Sequence, residues 1–354
     1  MTDTALAWLE SYLSDLRQYV KLGRHRSGSV LCDLGVPQGS VLSPLLFITY
    51  VSPASDIVTS AGLGFHQYAD DTQIYFAMRH ATASHDIDTL RICTERLRCW
   101  FLNNGLMLNP DKSEALLVGT RQQRQAVAVV GAVSVAGVDL PLSSELKSLG
   151  VIIDEQLSFE SHIRAVCRAC NFHLRALAHI RHLLPLSVAQ TLACSIVCSR
   201  LDYCNAVLQG APKSSMLKLQ RVQNNLARIV LQLPRRTHAR PLLHRLHWLP
   251  VEQRITYKTA LITFKVCAQS APEYLLTLLQ NRECTRTLRS SSLPLMEIPR
   301  FRTVTASRSF RVAAPTIWNS LPRDVLACST VDSFKKHLKT YLFNVAFTEY
   351  ETAH

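Results

Sequence analysis

The 354 residues contain no run of ~18 or more uninterrupted apolar residues, the length a membrane-spanning helix needs. Ala126 to Val138 comes nearest, and Gly131, Ser134 and Gly137 break it into what reads as short strands. Asp3, Glu10 and Asp15 interrupt the first turns, so no apolar leader is expected at this end. A long polar tract is also missing. With 47% hydrophobic and only 18% charged residues, wholesale disorder is excluded. The 11 cysteines are odd in number and follow no disulfide framework. Cys167 and Cys170 have CxxC spacing, and Cys194 and Cys198 lie four apart, but both pairs fall in helical patterns without the further ligands that structural zinc needs. Core thiols are the expectation. The chain reads as a soluble, intracellular-type globular protein, long enough for two or three domains.

Charge is unevenly placed. Residues 1–125 hold 11 basic and 12 acidic side chains, whereas residues 126–354 hold 28 and 14. A neutral first half and a strongly basic second half point to a polyanion lying along the latter. Solvated faces of Arg-rich helices are the other reading of the same numbers.

Hydrophobic spacing supplies the elements. Leu6, Leu9, Leu13, Leu16 and Val20 predict a helix over residues 4–22, followed by a strand over 29–34. Gly35-Val36-Pro37-Gln38-Gly39-Ser40 predicts a rigid loop, because two glycines permit unusual dihedrals and Pro37 restricts one. Residues 41–51 form an apolar helix that tolerates Pro44 in its first turn. Aromatic and β-branched residues on either side of Ala69-Asp70-Asp71 predict a hairpin across 64–77. A helix over 86–103 follows, then short strands near 106–108, 115–118, 126–135 and 148–153. From Ser158 the pattern becomes helical, with Phe159, Ile163, Val166, Cys170, Leu174, Leu177 and Ile180 on one stripe. Further helices are expected over 187–198, 213–231, 251–267 and 331–343. The fold class is therefore α+β, with a mixed first part and a mainly helical remainder.

Tyr68-Ala69-Asp70-Asp71 is the feature that carries chemistry. Two adjacent carboxylates at a hairpin tip repel each other, and a cation relieves that repulsion. Nucleotidyl transfer uses such a pair, since carboxylates are the hard ligands that hold two Mg²⁺ ions ~3.5–4 Å apart. An exposed Asp-rich turn has the same sequence and no such role.

The hairpin does not stand alone. Gly35 to Phe47 (GVPQGSVLSPLLF) precedes it, with about thirty residues between its Gln-Gly-Ser loop and the hairpin, and the two segments together resemble reverse transcriptases. More narrowly, they are similar to the non-LTR (LINE-type) retrotransposon enzymes of a jockey-like branch. Further similar segments are Leu108 to Glu114, Leu146 to Val151, Ser199 to Asn205, Leu246 to Pro250 and Trp318 to Pro322. The resemblance implies a partial polymerase palm over residues 1–155, a helical thumb-like region over 156–250 and a basic C-terminal region over 251–354. It implies that Asp70 and Asp71 are catalytic metal ligands for Mg²⁺, and that Tyr68 supports the hairpin beside the primer end. Gln38, Gly39 and Ser40 would lie against template and incoming deoxynucleotide, and Lys112 would assist the leaving pyrophosphate; an ordinary loop lysine is the alternative for Lys112. Arg164, Arg168 and Arg175, off the apolar stripe at spacings of four and seven, would meet nucleic-acid phosphates. The implied partners are an RNA template and a DNA primer. No membrane is implied, and no protein partner is assigned. The site of action is nuclear if the copying is target-primed.

The family's first palm segment carries a further Asp upstream of the Gln-Gly-Ser loop. Here Asp3, Asp15 and Asp33 are the only aspartates before Gly35, and none stands in a matching context. A fragment lacking that ligand, the fingers and any endonuclease region, and inactive alone, is the expectation. A non-catalytic nucleic-acid-binding remnant of a mobile element is the alternative.

Overall fold

The computed structural model describes residues 3–32, 35, 39–127, 131–135, 137–282 and 294–351. It mixes helices with small antiparallel sheets and divides into two units, residues 1–115 with 122–142 and residues 116–121 with 143–354.

The first unit begins with α1 (Asp3–Leu13). The helix expected over 4–22 stops there, because Asp15 adopts a left-handed conformation (φ 53°) and the chain turns back on itself. Residues 17–31 instead form two tiny antiparallel ladders, β1 (Arg17–Gln18) with β4 (Val30–Leu31) and β2 (Lys21–Leu22) with β3 (His25–Arg26). Gly23, at φ 59°, makes the tight turn between β2 and β3. Val20 and Leu22 thus carry helical spacing without a helix and stay exposed.

A small core follows. Helices α2 (Ser43–Val51), α3 (Ala54–Ser60) and α4 (Ala83–Asn103) bury Val51, Val58, Cys93, Leu97 and Phe101 together. Pro44 occupies the first turn of α2, where its missing N–H costs nothing. The hairpin β5 (Gly64–Tyr68) and β6 (Asp71–Tyr75) lays Phe65 and Ile74 on this core, with Phe76 just beyond. Alternation then sends His66, Tyr68, Asp71, Gln73 and Tyr75 outward. Gly105, at φ 66°, ends α4, and the Leu106 N–H closes onto the Phe101 carbonyl at 2.8 Å. Leu106 and Leu108 pack on the core from this turn instead of forming the expected strand. Beyond β7 (Ala115–Leu116) comes a short helix, α5 (Arg121–Ala126); of the expected strand over 126–135, Ala126 ends that helix, residues 128–130 lie outside the described residues, and Ala132–Val135 form β8. β8 pairs with β9 (Val138–Ser143), burying Val133 and Leu140.

The second unit opens with the hairpin β10 (Glu145–Ser148) and β11 (Val151–Asp154). Its turn residues Leu149 and Gly150 both have positive φ, as a type I′ turn requires. Asp154 then organises the entry to α6 (Glu160–Ile180). Its carboxylate accepts from the Gln156, Ser158 and Phe159 N–H groups at 3.1, 2.9 and 2.6 Å and from the Ser158 hydroxyl at 3.1 Å. Burial opposes the Asp154 charge, but these donors outweigh it and lower the pKa.

From α6 the expected apolar stripe becomes a core: Ile163, Cys170, Leu174 and Leu177 are buried, while Ile180 is left exposed. The core is completed by α7 (Leu186–Ala193), a π-helical turn (Cys194–Cys198), α8 (Ser199–Asp202), α9 (Lys213–Val230), α10 (Ala239–Arg245) and the start of α11 (Val251–Gln269). Cys170 and Cys198 lie inside it as free thiols, as expected, whereas their pair-mates differ from that expectation, Cys167 being half-buried and Cys194 exposed. Two ties show that α6 and α9 run in the same direction. Glu160, at the start of α6, bonds Lys218 near the start of α9, and Arg181, just past α6, donates to the Val230 carbonyl at the end of α9. Arg181 is buried among the carbonyl ends of two helices, which favour a cation there.

The remaining elements are α12 (Glu273–Leu276), α13 (Val304–Ser307), α14 (Phe310–Asn319), α15 (Arg323–Leu326) and α16 (Val331–Glu351), the last extending past the expected end at Phe343. Phe264, Trp318 and Phe334 stack in a second core, with the Phe264 and Phe334 ring centroids 4.2 Å apart.

The tail motifs prove to be ties between distant segments. Tyr203 donates to the Leu149 carbonyl at 2.6 Å, and Asp202 pairs with Arg254 at 2.7 Å. The Leu249 carbonyl receives Gln223 and Arg254 at 2.8 and 2.9 Å. Asn319 clamps the Met296 backbone from both sides at 2.9 and 2.8 Å, and the Trp318 indole donates to the Pro294 carbonyl. The motif groups named here therefore tie distant backbone and side chains together, whereas the buried Asn205 Oδ1 has no hydrogen-bond partner among the described residues.

Candidate functional site

The hairpin tip is built by register. Tyr68 pairs with Asp71, so only Ala69 and Asp70 form the loop. Ala69 takes a positive φ of 54°, the conformation demanded of the first residue in the tight turns that match strand twist. A left-handed alanine is strained by about 1–2 kcal/mol. That geometry leaves Tyr68, Asp70 and Asp71 exposed together at one end of the hairpin.

Neither carboxylate forms an ion pair or a hydrogen bond with another described residue. Their oxygens are hard donors suited to Mg²⁺. However, among the described residues no group of three or more His, Cys, Asp or Glu side chains converges to hold a metal. Asp70 and Asp71 therefore fit a divalent cation in donor type but do not make a self-sufficient site. Behind them on the same face, Tyr75 stacks on His66 with centroids 5.1 Å apart, its hydroxyl 3.2 Å from Nε2. The Tyr75 ring also covers Gly64, where a Cβ would fall 2.4 Å from it.

Other sequence candidates have separate settings. Gln38 lies outside the described residues. Gly39 has a positive φ of 86° and open space where a Cβ would be, in keeping with close backbone approach. Ser40 is bound to the Tyr12 hydroxyl, and its own hydroxyl accepts from the Leu42 N–H at 3.3 Å. Tyr12 also reaches Ser43 at 3.1 Å, so α1 is fastened to the start of α2. Sequence reading missed Tyr12, since nothing local announces a bond across 28 residues. Lys112 is exposed in the short turn Pro110–Lys112, which Asn109 caps by accepting from the Asp111 N–H at 3.1 Å. It forms no ion pair with either hairpin aspartate.

In the second unit, Arg164, Arg168 and Arg175 are all exposed on α6. Eleven residues bring Arg175 nearly back into line with Arg164 at 3.6 residues per turn. Of the three, Arg164 also lines a groove of about 450 Å³ between α6 and α9, together with Asn171, Lys218, Arg221 and Asn225. Lys218, Arg221 and Asn225 had been overlooked in the sequence. Their signal was present as polar positions opposite the buried Leu219, Val222 and Leu226.

Comparison with known proteins finds similarity over much of the chain. Residues 1–153 match the family described as Reverse transcriptase (RNA-dependent DNA polymerase). The chain is 25% identical over 260 residues to a probable RNA-directed DNA polymerase from transposon BS of Drosophila melanogaster, covering 71% of this chain and 28% of that protein. It is 28% identical over 228 residues to the probable polymerase from transposon X-element of the same fly, covering 63% and 24%. Similarity to the RNA-directed DNA polymerase of its mobile element jockey is 24% over 234 residues, covering 64% and 25%. The matched part thus spans about a quarter of these relatives. No solved structure matches. Residues 1–153 thus carry a reverse transcriptase domain, and the relatives are named as RNA-directed DNA polymerases of two transposons and a mobile element.

Proposed function

We propose that residues 1–155 are part of a polymerase palm in which Asp70 and Asp71 supply two of the ligands for Mg²⁺ in RNA-directed DNA synthesis. The exposed, unpaired carboxylates on the two-residue turn carry this reading. The match of residues 1–153 to the reverse transcriptase family supports nucleic-acid substrates and a divalent cation. When bound, the cation would activate the attacking hydroxyl and offset charge on the leaving oxygen. In this reading Tyr68 backs the primer end, Gln38, Gly39 and Ser40 border template and deoxynucleotide, and Lys112 serves the leaving pyrophosphate.

Among the described residues no third ligand converges on the two carboxylates, and two carboxylates alone do not hold two metals in fixed geometry; on this ground we propose that the chain by itself is inactive. Primer extension on an RNA template with Mg²⁺ or Mn²⁺ tests this. No product is expected from the purified chain. Extension that disappears in Asp70→Asn would refute the inactivity while supporting the hairpin's role.

A second reading is favoured by the exposed Arg164, Arg168 and Arg175 on α6 and by the α6–α9 groove that Arg164 lines. Residues 156–250 act as a thumb-like grip on nucleic acid, and residues 251–354 extend that basic surface, whether or not the palm is active. Binding that weakens steeply with salt is expected, and no binding at low salt would refute it.

A further inference from the structure

Resting on the second reading, we infer that the α6–α9 groove contains a phosphate subsite whose place is held by the chain's own Glu160. The Glu160 carboxylate bridges cations from two helices, 2.9 Å from Lys218 Nζ and 3.8 Å from Arg164 Nη2. Both cations also line the groove, where they are joined by Arg221 and by the side-chain amides of Asn171 and Asn225. Arg221 is exposed and forms no ion pair or hydrogen bond with another described residue. The groove thus presents three cations and hydrogen-bonding amides, and a carboxylate outside its lining engages two of those cations. Val222 and Cys167 supply its remaining lining.

Glu160 is held firmly enough to be ordered and loosely enough to leave. The Lys218 hydrogen bond and charge, then the Arg164 charge, lower its pKa, while nearby Asp154 pushes the other way. Both ion pairs are surface pairs, with the Glu160 side chain 52% exposed. Exposed pairs of this kind hold each other weakly. A phosphodiester brings the same charge with more acceptor oxygens, and it releases counterions from the nucleic acid as it binds. It can therefore displace Glu160 and take Lys218, Arg164 and the free Arg221 together. In the absence of nucleic acid, Glu160 keeps two of these cations from repelling each other. The chemistry recognised is the sugar–phosphate backbone, without regard to base sequence.

The test uses the full chain and short fluorescein-labelled nucleic acids, one RNA–DNA duplex and one single-stranded RNA, read by anisotropy over a salt series. Glu160→Gln is expected to tighten binding about 2- to 10-fold at low salt, the reverse of what loss of a structural ion pair does. Lys218→Met and Arg221→Met should each weaken binding and flatten the log–log salt slope by ~0.7–0.9, the lower figure for the single strand. Arg221→Met leaves no partner unpaired, so it remains informative if the other variants melt early. Unchanged or weaker binding by folded Glu160→Gln, or an unchanged slope in Arg221→Met, overturns the subsite while leaving the broader grip standing. Failure of the wild-type chain to bind either probe overturns both. Asp70→Asn should not alter any of these curves, which separates this result from the fate of the palm reading.

Discussion

The Asp202–Arg254 pair offers a sharp test of what joins the second unit together. Arg254 lies on α11 with its side chain only 15% exposed, whereas Asp202, at the end of α8, is 37% exposed. Burial works against the Arg254 charge, yet Asp202 and the nearby Cys198 together keep its pKa above the ordinary value. The guanidinium is further held by the Leu249 carbonyl at 2.9 Å. Removing one partner from a fully buried pair costs ~3–5 kcal/mol, because a charge remains without compensation. Here the two partners are unequal. Asp202→Ala leaves the more deeply buried charge behind, so its cost should fall near the lower end, about 3 kcal/mol. Arg254→Met leaves a carboxylate that water can reach and fills space with an apolar chain. Its cost should be about 2 kcal/mol, about half of it from the lost bond to Leu249. The double variant should cost little more than Arg254→Met, giving a coupling of about 2–3 kcal/mol. Urea unfolding followed by fluorescence of buried Trp248 and Trp318 measures each value. Equal or reversed single-variant costs, or coupling below about 0.5 kcal/mol, would refute the assignment of this pair as a buried tie.

Two further outcomes follow from local geometry. Because the folded pKa of Asp154 lies below the unfolded value of ~3.9, its stabilisation is complete above that value and is lost as pH falls through the folded pKa. Asp154→Asn should therefore flatten the acid limb of the stability curve and cost about 1–3 kcal/mol at neutral pH; an unchanged acid limb would contradict the role assigned to its four donors. Ala69→Gly relieves a left-handed alanine, partly offset by glycine entropy, and should raise stability by up to about 1 kcal/mol. A loss of thermal stability in that variant would show that the turn prefers alanine for another reason.

The hairpin was legible because three local signals agreed. Phe65, Ile74 and Phe76 alternate toward a core, aromatic and β-branched residues flank the turn, and Asp-Asp marks its tip. The α6 stripe was equally plain, since Ile163, Cys170, Leu174 and Leu177 repeat at the helical period and all are buried. The first helix misled for a physical reason. Leu16 and Val20 continue the spacing, but Asp15 and Gly23 take left-handed conformations and direct the chain into ladders. The motifs at 199–205, 246–250 and 318–322 were visible as segments, but their bonds reach residues more than twenty positions away. No local pattern encodes such a partner.

The sequence by itself determined the reverse transcriptase resemblance, the α+β mixture, the carboxylate pair and the charge imbalance between the two parts of the chain. Those properties live in residue identity and in periods of two or 3.6, which neighbouring residues set among themselves. Only the tertiary structure decided that Asp70 and Asp71 stand without a converging third ligand among the described residues, and that Glu160 meets Lys218 across 58 positions. It likewise decided that α6 and α9 run in the same direction and so join their polar faces into one groove. Convergence of this kind arises when buried apolar faces select which distant segments lie side by side, and the polar groups carried on those faces meet as a consequence.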